Sequence, residues 1–236
     1  FFFLFKQTKM KTKVNYFAVL TFYIIAILFR YLTNKTELIN GISSEFIKVL
    51  LQGIGPAIGA LVAFTVFKIK PILSIKGNYK KVIVPFLLFW MFPIVLILSV
   101  EYFIKGSISY QAVFAILMYG LLEEIGWRGF LQQELKALPQ FLNILIVATL
   151  WFIWHLNFDI TSSNLLFFGI LLLGTWGIGK VADSTQSLLA VSAFHSLNNF
   201  FPEMNQTKII ILATLLIVWV TALVIKKRQI DKKNIS

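Results

Sequence analysis

Read from one charged residue to the next, the chain offers eight uncharged stretches long enough to cross a bilayer. They are residues 14 to 29, 49 to 67, 82 to 100, 106 to 122, 137 to 158, 160 to 179, 184 to 202 and 209 to 225. Each is close to the ~20 apolar residues that a helix rising about 1.5 Å per residue needs to span a hydrocarbon core. None alternates polar with apolar residues over ~10 positions, so a transmembrane barrel is excluded. The pattern predicts an all-α integral membrane protein, a bundle of about eight transmembrane helices in one domain, residues 1–236. The longer polar stretches, 30 to 48 and 68 to 81, read as loops.

Composition agrees with the pattern. The chain is 58% hydrophobic and 14% charged, against about 45–50% apolar residues in soluble domains. The lipid bilayer is therefore its first partner. There is no cysteine, which removes disulfides, thiol nucleophiles and thiolate metal sites. The net charge of +12 would suggest nucleic acid on a soluble chain, but in a membrane protein it belongs to loops facing anionic headgroups, so nucleic acid is not expected as a partner. Assigning the loops alternately to two sides puts 17 of the 22 Lys and Arg on one side and 5 on the other. By the positive-inside rule both termini are expected in the cytoplasm, with Arg30, Lys35, Lys48, Lys105 and Lys208 on the outer side.

Local punctuation adds detail. Phe1 to Phe5 is too short for the core of a secretory signal, and Met10-Lys11-Thr12-Lys13 reads as the natural start. Gly55 and Gly59 have the spacing that lets two membrane helices approach closely, with Pro56 between them. Pro85 and Pro93 read as kinks in the third span.

An ionisable side chain at membrane depth costs at least ~2.5–3.5 kcal/mol, so each one asks for a reason. The candidates are Glu123, Glu124, Arg128, His155 and His195, with Asn199 on helical spacing; the two histidines are the only ones in the chain. Glu124 and Arg128 are four apart with the acid first, the favourable order for an ion pair along one helix face. Arginine is one of three here, so its use suggests a need for the flat, bidentate guanidinium. Glu123 points about 100° away and is left as the spare carboxylate. His195 and Asn199 share one face of the seventh span. A glutamate, two histidines and an asparagine inside a bundle can activate a water and stabilise an oxyanion, the needs of amide hydrolysis. The same groups can equally be interhelical hydrogen bonds or a proton pathway. On residues alone these readings stay open.

The segment Glu123-Glu124-Ile125-Gly126-Trp127-Arg128 resembles the EExxxR motif of the CAAX protease and bacteriocin-processing family, also called the abortive-infection family of intramembrane proteases. Arg128 to Gln132 is similar to its usual continuation. The second motif, FxxxH, appears as Trp151 to His155 with tryptophan in place of phenylalanine, and the third, HxxxN, as His195 to Asn199. The motifs lie in order on separate spans within residues 110–200. The resemblance implies an endopeptidase of eight membrane helices in which Glu123 and His155 activate water, His195 and Asn199 hold the oxyanion, and Glu124 and Arg128 support them. The tryptophan at position 151 is expected to keep an aromatic wall, affecting pocket shape rather than chemistry.

A glutamate with two histidines could ligate zinc, through Glu123, His155 and His195, and relatives are often described as metalloproteases. There is no HExxH, and asparagine is a poor zinc ligand but a good oxyanion donor, so a metal-free, glutamate-activated water is favoured and no cofactor is expected. Span boundaries put Glu123 toward the inner end of its helix and His155 toward the outer end of the next, although the two should be level. A separate surface segment over residues 129 to 140, with the fifth span beginning later than 137, would reconcile them. The expected function is an intramembrane endopeptidase of a bacterial plasma membrane, acting on a peptide or membrane-anchored protein in peptide maturation or bacteriocin self-immunity. The alternatives are a proton- or ion-coupled transporter, whose usual paired repeats are not found here, and a non-catalytic immunity or scaffold protein.

Overall fold

The computed structural model describes residues 13–78, 82–84, 87, 91–108, 110–199 and single positions between 206 and 225. Among them the regular structure is helical and there is no strand. Helix α1 is Tyr16–Asn34 and α2 is Glu45–Val66; α3 is Phe92–Lys105; α4 is Tyr110–Glu124; α5 is Gln140–Trp154; α6 is Ser162–Thr185; α7 is Leu188–Asn199. Helices α1, α2 and α6 are each long and apolar enough to cross a membrane, and α5 is apolar but shorter. The eighth span, 209 to 225, residues 226 to 236, Met10 and Pro85 fall wholly or largely outside the described residues.

The ends of the helices follow local chemistry. Asn15, Ser44 and Thr161 cap α1, α2 and α6, each side chain accepting from a backbone N–H in the first turn. Gly106, at φ 69°, closes α3 in the left-handed conformation. Pro93 sits in the first turn of α3, and Met91 before it is itself in right-handed helical conformation. Pro56 lies inside α2.

Helix α2 packs on α1 and α4, α4 on α7, α5 on α6, and α6 on α7. The close approach expected at Gly55 and Gly59 is present. A Cβ on Gly59 would stand 2.5 Å from the backbone oxygen of Phe22, and one on Gly55 would stand 2.8 Å from that of Ala26. Bare glycine lets α2 lie directly on the α1 backbone. Trp154 uses the same surface, its indole N–H donating to the Ala26 carbonyl at 3.0 Å.

The main departure from the expected spans comes after Glu124. The chain does not leave the helix at its charges. It widens into a π-helical stretch, Ile125–Leu131, continues through one α turn, Gln132–Glu134, and ends in a 3₁₀ turn, Leu135–Ala137. Residues 126 to 135 are all buried, so the surface segment expected over 129 to 140 is not there. The physical reason is the pairing of Arg128, which lets the helix stay inside the bundle past a charge. Gly126 brings the stretch against α2, where an added Cβ would meet Pro56 at 2.5 Å. The fifth helix does begin later than 137, at Gln140, and the chain returns along it from Gln140 to Trp154. Running on to Ala137 before turning back brings Glu123 level with the far end of α5.

The loop after α2 also packs inward. Ser74 pairs with Ser187 in an isolated bridge between α6 and α7, with Ser74 N–H donating to the Gln186 carbonyl and Leu188 N–H to that of Ser74. Gln186, at φ 52°, makes the corner between those helices.

Candidate active site

Near the centre of the bundle, Trp151 touches three of the residues singled out in the sequence. Its indole N–H donates to Glu123 Oε2 at 2.9 Å. Its backbone carbonyl accepts from His155 Nδ1 at 2.8 Å. Its ring meets that of His195 edge-on, with centroids 5.2 Å apart. The spacing explains the arrangement: Trp151 and His155 are four apart at the C-terminal end of α5, where the last carbonyls lack intrahelical partners and a side chain can reach back to them.

Glu123 is 1% exposed. Trp127, one turn on, donates its indole N–H to the same Oε2 at 3.2 Å. Both indoles therefore fall on one oxygen, and Oε1 is not held by either. His195 and His155 both stand near enough to interact with the Glu123 charge.

Glu124 and Arg128 form the expected pair, 2.7 Å apart and fully buried. The same Oε1 of Glu124 also meets His195 Nδ1 at 2.6 Å, bridging α4 to α7. The neighbouring acid is thus more than a partner for arginine: it anchors one of the two histidines. The Arg128 guanidinium lies 4.4 Å over the Trp151 ring, a favourable seat for a desolvated cation. Its Nε and Nη2 have no partner among the described residues.

The hydrogen bonds also orient the imidazoles. A carbonyl or a carboxylate can only accept, so Nδ1 carries the hydrogen in both rings. In each, Nε2 is the nitrogen left for chemistry. Neutral His155 then has its lone pair on Nε2. Asn199 lies one turn beyond His195 on α7, and its amide Nδ2 is buried with no partner among the described residues. A buried, unsatisfied donor is costly unless something else uses it.

The structure gives no support to the alternative zinc set of Glu123, His155 and His195. Among the described residues no three His, Asp or Glu side chains are grouped so as to hold a metal ion. Glu123 Oε2 is occupied by two indole hydrogens, which would compete with a cation for that oxygen.

Two features were not foreseen. Arg30, counted among the outer loop charges, is in α1, with Nη1 donating to the Gln52 carbonyl at 3.2 Å and its guanidinium 4.3 Å over the Trp154 ring. Its rarity as one of three arginines was the available signal. Trp151 was expected to preserve only an aromatic wall. Instead it places a hydrogen-bond donor on Glu123 that phenylalanine cannot provide, so the substitution reaches Glu123 itself.

Residues 105–201 match the family described as type II CAAX prenyl endopeptidase Rce1-like. The match spans all three motifs and bears out the resemblance read from them. No curated protein matches the chain.

Proposed function

We propose that the protein is an intramembrane endopeptidase that hydrolyses a peptide bond of a peptide or membrane-anchored substrate with a water activated by Glu123 and His155. The observation that carries this reading is the convergence on Trp151, which ties Glu123, His155 and His195 into one cluster. Glu123, whose carboxylate is held by two indoles and the Tyr119 hydroxyl, takes the proton of the attacking water. His155, with Nδ1 turned to the Trp151 carbonyl, accepts a hydrogen bond from the same water at Nε2, and Glu123 passes the proton it took to the leaving nitrogen as the C–N bond breaks. Negative charge develops on the carbonyl oxygen as the tetrahedral intermediate forms. The Asn199 amide, which has no partner among the described residues, is suited to receive it, with His195 one turn before it on the same helix. Glu124 holds the His195 ring in register, and Arg128 balances the charge of Glu124. Arg30 adds a second cation beside the cluster. The biological role proposed is maturation of a secreted peptide or self-immunity to a bacteriocin, in a multi-pass protein of the cell membrane.

The test is incubation of the purified protein with peptide precursors encoded beside it, in parallel with Glu123→Gln and with a chelator. Glu123→Gln preserves shape but removes the proton acceptor, so cleavage should disappear while the amount of protein in the membrane stays near normal. Chelator should have no effect. Cleavage retained by Glu123→Gln would overturn the mechanism, and loss of cleavage on chelation would replace the metal-free water with a metal-bound one.

A further inference from the structure

Away from the carboxylate and histidine cluster, a cavity of about 200 Å³ lies between the start of α5, the last turns of α6 and the turn that joins the π-helical stretch to α5. Its lining is about half polar. Gln132, Lys136, Thr175, Lys180 and the carboxylate of Asp183 contribute to it, with Trp176. Two of these carry unmet hydrogen-bonding capacity. Thr175 is 1% exposed and its hydroxyl has no partner among the described residues; Gln132 is 8% exposed and its Oε1 likewise has none. A buried hydroxyl without a partner is destabilising unless a bound group satisfies it.

The charges around the cavity select the kind of group. Lys136 is paired with Asp183 at 2.7 Å, which leaves the exposed Lys180 as the excess cation on the lining. Lys136 and Lys180 both belong to the lysine-rich side of the sequence pattern, the side that faces anionic lipid. Trp176 lines the cavity with its side chain 53% exposed, as interfacial tryptophans are. An exposed apolar stripe on α6, Leu166, Ile170 and Leu173, leads along the helix to Trp176. A ligand seated here meets ammonium, hydroxyl and amide groups at one end and a hydrocarbon track at the other.

We propose that this cavity binds the phosphate headgroup of a membrane phospholipid, with its acyl chain along α6. Lys180 supplies the charge, the Thr175 hydroxyl donates to a phosphate oxygen, and Gln132 Oε1 accepts from a headgroup hydroxyl. The site is independent of the peptidase reading.

The experiment uses the purified full chain in detergent micelles, titrated with a short-chain phosphatidylglycerol and followed by native mass spectrometry. Parallel arms use inorganic phosphate and the matching diacylglycerol. One phospholipid should be retained per chain and diacylglycerol should not bind. Loss of one charge-assisted hydrogen bond should weaken retention about tenfold in Lys180→Gln and in Thr175→Val, whereas Lys48→Gln, distant from the cavity, should behave as the unaltered chain. Lys180 is exposed, so its variant keeps the test valid should Thr175→Val fail to fold. Equal retention by Lys180→Gln and the unaltered chain overturns the site. Inorganic phosphate binding as tightly as the phospholipid overturns the lipid as its source, and diacylglycerol binding as well as the phospholipid overturns the phosphate.

Discussion

The buried trio of Arg128, Glu124 and His195 predicts an asymmetry between two substitutions that a plain ion pair does not. Breaking a buried pair costs about 3–5 kcal/mol, because an uncompensated charge is left behind. In Arg128→Met, Glu124 keeps His195 at 2.6 Å, so the loss should sit at the low end, about 3 kcal/mol. In Glu124→Gln, Arg128 keeps the Trp151 face and the unbonded charge of Glu123, with two of its nitrogens lacking a partner among the described residues, so the loss should approach 5 kcal/mol. For a chain of this size, at about 2–4 °C per kcal/mol, the melting temperature should fall by roughly 6–12 °C in the first case and 10–20 °C in the second. The double variant has no orphan charge and should recover much of the loss, a coupling measurable as a double-mutant cycle. Its cleavage activity should stay depressed, because a neutral amide is a weaker anchor for His195. The assay is thermal unfolding in detergent together with peptide cleavage. A double variant as unstable as the sum of the singles, or Arg128→Met proving the less stable single, would refute the assignment of Glu124 as the shared anchor.

Trp151→Phe removes the 2.9 Å bond to Glu123 while retaining a ring. A lost charge-assisted bond of about 1.5–3 kcal/mol should lower the rate of cleavage roughly 10- to 100-fold, with a smaller change in melting temperature than Arg128→Met; an unchanged rate would return Trp151 to the role of a wall. Gly59→Ala drives a Cβ to 2.5 Å from a backbone oxygen that cannot rotate away, so thermal unfolding should show a loss of about 1–3 kcal/mol. A neutral result would mean that α1 and α2 are not in direct backbone contact. Reporter fusions at Gly41 and Gly77 should fall on opposite sides of the membrane, Gly77 in the cytoplasm, as the basic asymmetry requires. Both on one side would break the topology.

What could be read from the sequence was local. The Glu124–Arg128 pair, the shared face of His195 and Asn199, and the glycines that admit α1 all follow from helical spacing, which needs no knowledge of the fold. What could not be read depended on partners distant in the chain. Ending each span at a charge treats every charge as wetted, which misplaced Arg30 and stopped α4 before its buried continuation. Arg30 is accommodated by the Gln52 carbonyl and the Trp154 ring, and Arg128 by Glu124. Hydropathy likewise scores tryptophan as apolar surface and is blind to its N–H. That is why the donors on Glu123 were missed although both indoles belong to the motifs. The shared use of Glu124 by His195 required knowing that α7 packs on α4.

The pairing of Glu124 with Arg128 within a single turn has a consequence for how the chain enters the bilayer. Helices are delivered to the membrane as they are synthesised, before later ones exist. A lone arginine in α4 would have to wait in hydrocarbon for a partner from another helix. Here the partner precedes it by four residues, so the two charges can neutralise each other as soon as the segment winds. His195 follows Glu124 by 71 residues and docks onto a carboxylate whose charge is already balanced. Order of synthesis thus becomes order of assembly, with the acid neutralised first and the histidine recruited last.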